Sequence, residues 1–109
     1  MVGYQLTFFT QQDKQHGHTP LSEWLVAEAR RLGIGGATVT LAAEGFGNHG
    51  KLHSAHFFEL ADQPVEVTMA VSAADAERLF SALTAERINI FYVKAPIEFG
   101  MTLDRTAGA

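Results

Sequence analysis

Tyr4, Leu6 and Phe8 alternate with Gln5 and Thr7. That two-residue period predicts a strand, and aromatic side chains suit its pleated surface. Gln11 to His18 is polar and contains Gly17, so it reads as a loop. Thr19-Pro20 then opens a helix: threonine suits the N-cap, and proline suits the first helical position, where its missing N–H has no partner anyway. Leu21, Trp24, Leu25 and Leu32 recur at helical spacing, with Glu23, Arg30 and Arg31 left for the wet side. Trp24 reads as core. Gly33 stands where a left-handed C-terminal cap is wanted. Ala37, Val39, Leu41 and Ala43 alternate with Thr38, Thr40 and Glu44, giving a second strand. Val65, Val67, Met69 and Val71 alternate with Glu66, Thr68 and Ala70, giving a third, entered through Pro64. Ser72 caps a second helix, with Asp75 favouring its N-terminus. Ala76, Leu79, Phe80 and Leu83 form its apolar stripe. Ile90 to Ala95 is a fourth strand, with Ile90 and Tyr92 on one face and Phe91, Val93 and Ala95 on the other.

The order β-α-β-β-α-β predicts an α+β, ferredoxin-like sandwich, an antiparallel sheet with both helices on one face. The other face would be open in a monomer, as an apolar sheet of Val, Phe and Tyr. Patches of that kind mark interfaces, and a closed cyclic oligomer would cover this one. The expected organisation is one domain over residues 1–103 and a flexible tail over 104–109.

Composition narrows the function classes. The chain has 109 residues, a formal net charge of −4 and no cysteine. The negative sign argues against binding nucleic acid, and thiolate chemistry is excluded. No apolar stretch approaches the roughly 20 residues of a membrane span, and the N-terminus lacks the pattern of a signal peptide. The expectation is a cytoplasmic protein without membrane insertion. No P-loop, nucleophile elbow or paired-acid motif is present, so no enzymatic activity is expected.

Polar chemistry collects in two loops. The five histidines all lie there: His16 and His18 in one, His49, His53 and His56 in the other. Neutral imidazoles bind divalent transition metals, and His49, His53 and His56 would share a face if their loop were helical. The plain alternative is a set of solvated loop residues. Gly45-Phe46-Gly47 offers either a close approach for an anion or adenine ligand or a hinge by which the strand leaves the sheet. Lys51, Arg87 and Lys94 are the candidate anion partners, against the common case of solvated surface charges. A protonated His16 or His18 before the first helix would favour an anion at that helix's N-terminus; a simple turn is the alternative.

Gly17-His18-Thr19-Pro20-Leu21, then Gly33-Ile34-Gly35-Gly36-Ala37-Thr38-Val39, then Gly45-Phe46-Gly47, and finally Pro64-Val65-Glu66-Val67, resemble the domain of unknown function 190 family, which is similar to PII signalling proteins. The resemblance spans roughly residues 4 to 95. It implies a ferredoxin-like subunit in a PII-like homotrimer, with nucleotides held between subunits near the base of the long loop after the second strand. It also implies that this loop, Gly45 to His56, contacts a regulated partner such as a transporter. One departure stands out. PII proteins carry a glycine-rich phosphate loop between the second helix and the fourth strand, where this chain reads Thr84-Ala85-Glu86-Arg87-Ile88-Asn89. The leading expectation is a regulatory protein binding a small anionic effector, an adenine nucleotide, through Gly45, Phe46, Gly47, Lys51, Arg87 and Lys94. The alternative is a metal-binding or metal-sensing protein using His49, His53, His56, His16 and His18.

Overall fold

The alternating segments find one another as a four-stranded sheet. In the computed structural model the described residues are 1–41, 44–46, 52–54 and 63–104. They form β1 (Val2–Gln11), β2 (Gln15–His16), β3 (Thr19–Pro20), α1 (Leu21–Arg31), β4 (Thr38–Leu41), β5 (Glu44–Phe46), β6 (Leu52–Ser54), β7 (Pro64–Val71), α2 (Ala73–Ala85) and β8 (Phe91–Glu98). The sheet order is β4-β7-β1-β8, and every neighbouring pair is antiparallel. With one helix before β4 and one before β8, this is the ferredoxin-like arrangement.

Register decides which residues meet the helices. Phe8 stands opposite Val67 and Tyr92, and Leu6 opposite Met69 and Lys94. Strand side chains alternate between faces, so Leu6, Phe8, Val65, Val67, Met69 and Val71 share the helix side. All of them are buried. Leu25, Ala29 and Leu32 of the first helical region and Ala76, Leu79 and Leu83 of α2 complete that core. Each fully buried side chain of this size contributes about 1.5–3 kcal/mol. Trp24 packs half-buried against the core rather than inside it.

Helix α1 begins differently from the sequence expectation. Pro20, not Thr19, is its N-cap, and no side chain caps it. Thr19 is extended and pairs with His16, while Pro20 pairs with Gln15. The physical reason is the tight turn at Gly17-His18. Gly17 has φ +64°, which lets the chain fold back as a hairpin and draws Thr19 out of the cap. The Lys14 carbonyl instead accepts the Leu21 N–H at 2.8 Å, satisfying a donor that a capping side chain would otherwise serve. The other end follows expectation: Gly33 takes φ +83°, with Gly33 N–H bonding to Arg30 O and Ile34 N–H to Ala29 O. Arg78 of α2 adds a 2.8 Å hydrogen bond to the Leu32 carbonyl and ties the helices together. Ser72 caps α2 as expected, accepting from the Asp75 N–H at 3.1 Å.

Strand β8 runs on past Ala95 through Pro96 to Glu98. It is an edge strand, where a missing N–H is tolerated. The open face also departs from expectation. Tyr92 lies on the helix side, against Phe8 and Phe80. Phe9 and Phe91 pair on the other face, with ring centroids 5.6 Å apart, in line with Val93, Ala95 and Ile97. Toward β4 the open face turns to threonine: Thr7 and Thr68 share a 3.4 Å hydroxyl contact, and Thr38 stands opposite Thr68. The apolar strip is therefore confined to the β1–β8 side.

Candidate functional site at the loop end

Antiparallel pairing gathers the connections. β1 ends at Gln11 opposite Pro64, where β7 begins. β4 ends at Leu41 opposite Val65, and β8 begins at Phe91 opposite Phe9. The connections after β1, after β4 and after α2 thus all meet the sheet at one end. Two contacts bind them together. The Gln12 N–H donates to the Gln63 carbonyl at 3.0 Å. His16 Nε2 lies 2.9 Å from Glu86 Oε1, and its ring meets Trp24 edge-on at 5.1 Å.

The turn leaving α2 is built without glycine yet adopts a glycine-like form. Arg87 has φ +58°. The Glu86 N–H bonds to Ala82 O at 3.1 Å, Arg87 N–H to Thr84 O at 3.0 Å and Ile88 N–H to Leu83 O at 3.0 Å. This is the Schellman pattern, repeated from the end of α1, with arginine where α1 has glycine. Its consequence for binding is direct. The N–H groups of Glu86, Arg87 and Ile88 already serve helix carbonyls, so they cannot cradle a phosphate as a nest of free N–H groups would. An anion here would be held by side chains. Arg87 is exposed, and no carboxylate among the described residues pairs with it.

The other predicted residues are placed as follows. Lys94 sits midway along the edge strand β8, opposite Leu6. Its ammonium lies 4.2 Å from the centre of the Tyr4 ring and 6.0 Å from that of Phe80, a cation–π arrangement away from the loop end. Gly45 and Phe46 belong to β5 and stand opposite His53 and Leu52 of β6, in a ladder separate from the main sheet. His53 is therefore on a strand. His18 is exposed in the Gly17-His18 turn. Gly47, His49, Lys51 and His56 lie outside the described residues. Among the described residues no three metal-ligating side chains converge, and His16 is engaged by Glu86.

Sequence reasoning missed two features. One is the His16–Glu86 pair, which joins residues 70 apart. The other is a groove between α1 and β4 lined by Gln12, Ser22, Glu23, Val26, Ala27, Arg30, Val39, Leu41 and Val65. Val39 and Leu41 face α1 yet remain 48% exposed. The alternation of β4 was visible, but not that it lies at the edge. Arg31, next to Arg30, is paired with Glu28.

Comparison with known proteins adds the following. The family model DUF190, described as Uncharacterized ACR, matches residues 3–90. No curated protein matches the chain. Among solved structures, CPII from Thiomonas intermedia K12, a nitrogen regulatory PII-like protein bound to ADP, AMP and bicarbonate, is similar. It aligns at a TM-score of 0.65 and 19% identity over 94% of this chain and 92% of that one. A putative PII-like signalling protein from Thermus thermophilus aligns at a TM-score of 0.58 and 22% identity, over 88% of this chain and 86% of that one.

Proposed function

Because the chain belongs to the DUF190 family, we propose that it is a PII-like regulatory protein that binds a small anionic effector, an adenine nucleotide, at the loop end of the sheet. In this reading the protein is a homotrimer, the effector lies between subunits near Arg87, and the segment from Gly45 to His56 contacts the regulated partner. The observation that carries it is the convergence of the three connections at one end, with the exposed Arg87 guanidinium among them. Arginine offers a planar fork matched to phosphate oxygens. The adenine nucleotides and bicarbonate bound by CPII support the choice of ligand class. Binding that orders a segment is an established mode of switching.

The trimer draws support from β8. This edge strand exposes Phe91, Tyr92 and Val93 at 58%, 48% and 47%. A long apolar edge is a template for association unless a partner covers it. Lys94, held over the Tyr4 and Phe80 rings away from the loop end, is assigned no part in the effector site in this reading. Isothermal titration with ATP, ADP and AMP tests the reading directly. Saturable heat with at least one of them, lost in Arg87→Ala, is expected. Absence of binding by all three rejects it.

A further inference from the structure

Resting on that reading, we propose that the turn leaving α2 selects an effector with a single terminal phosphoryl group over a triphosphate, and that Glu86 is the specificity-determining residue.

Three observations lead there. First, the turn supplies one anion-binding fork. The Arg87 guanidinium can grip two oxygens of one phosphoryl group side by side, while the backbone N–H groups of Glu86, Arg87 and Ile88 are committed to Ala82, Thr84 and Leu83. A longer phosphate chain finds no further donors in the turn itself. Second, the residue before Arg87 is a carboxylate, half exposed and fixed by His16 Nε2 at 2.9 Å. It is the chain neighbour of Arg87, and its negative charge disfavours each further negative charge on a ligand held by the guanidinium. A monophosphate satisfies the fork and ends there; a triphosphate brings more negative charge to a turn that already carries the Glu86 carboxylate. Third, arginine occupies a left-handed position, φ +58°, that glycine adopts freely. Such strain persists at sites where the side chain is used.

The test is isothermal titration of AMP, ADP and ATP, in metal-free buffer, into the wild-type protein and Glu86→Gln. The glutamine keeps a hydrogen-bonding group for His16 and removes the charge. The wild type should bind AMP more tightly than ATP by about fivefold or more, the size of one solvent-exposed charge contact. Glu86→Gln should raise ATP affinity several-fold and leave AMP within about twofold. Wild-type binding of ATP as tight as that of AMP overturns the proposal while leaving the effector reading intact. An unchanged AMP-to-ATP ratio in Glu86→Gln overturns the role of Glu86. Absence of binding by all three nucleotides defeats the effector reading and this proposal with it.

Discussion

Replacing Arg87 by glycine separates what the residue contributes to folding from what it contributes to binding. The backbone at 87 is left-handed, and an L-residue with a Cβ costs about 1–2 kcal/mol there. Glycine removes that cost but gives up about 0.5–1 kcal/mol of extra backbone entropy on folding. The hydrogen bonds from Glu86, Arg87 and Ile88 to the last turn of α2 use backbone atoms alone, so they survive the substitution. The guanidinium is exposed and has no carboxylate partner among the described residues, so its loss removes no ion pair found there. The balance is a gain of about 0.5–1 kcal/mol for Arg87→Gly, or a rise in midpoint temperature of about 2–6 °C for a domain of this size. Arg87→Ala keeps the Cβ and should show no such gain. Thermal and urea unfolding at fixed protein concentration measure both, since association would otherwise shift the midpoint. Both variants should lose effector binding equally. If Arg87→Gly is less stable than the wild type, the strain argument is wrong and the side chain is a structural member of the turn.

Two further outcomes follow from packing. Gly3→Ala should destabilise by about 2 kcal/mol or more, read as a lower urea midpoint, because its Cβ would lie 2.1 Å from the Val71 carbonyl oxygen and 2.8 Å from the Phe99 ring; a neutral result would mean that β1 and β7 part easily at that end. On the proposed trimer, Val93→Asp, on the apolar strip of the open face, should shift the species seen by light scattering toward monomer, whereas Thr38→Asp on the threonine side should do so less.

The sequence carried the fold because its regular elements are long and strongly patterned. The alternation at Tyr4–Phe8 and Val65–Val71 and the stripe Ala76–Leu83 reappear as β1, β7 and α2, and Ser72 and Gly33 announced a cap and a stop by their chemistry. What stayed hidden is short or long-range. β2 and β3 are two residues each, too brief to show a period, and their pairing moved the start of α1. The Schellman turn after α2 went unseen because its usual signal is glycine and this chain uses Arg87. The His16–Glu86 contact depends on tertiary packing that no local pattern encodes. Of the residues expected to bind a ligand, Arg87 is at the loop end and Lys94 is not, because Lys94 falls in register with Leu6 midway along β8.

The histidine segments change meaning in that light. By sequence, His16 is an anion candidate because it precedes a helix, and a metal candidate as one of the loop imidazoles. In the fold it links the first connection to the turn after α2, where a carboxylate already occupies it. The Gln12–Gln63 bond links the same connection to the point where the chain returns from its excursion after β4. An anion seated on Arg87 would therefore act next to a residue tied through His16 to the β2–β3 hairpin. That connection is in turn tied at Gln12 to the returning end of the long loop. Coupling of this kind requires a contiguous set of contacts with two arrangements. The loop end supplies the contiguity, and in the proposed reading His16 is a link between the effector turn and the first connection.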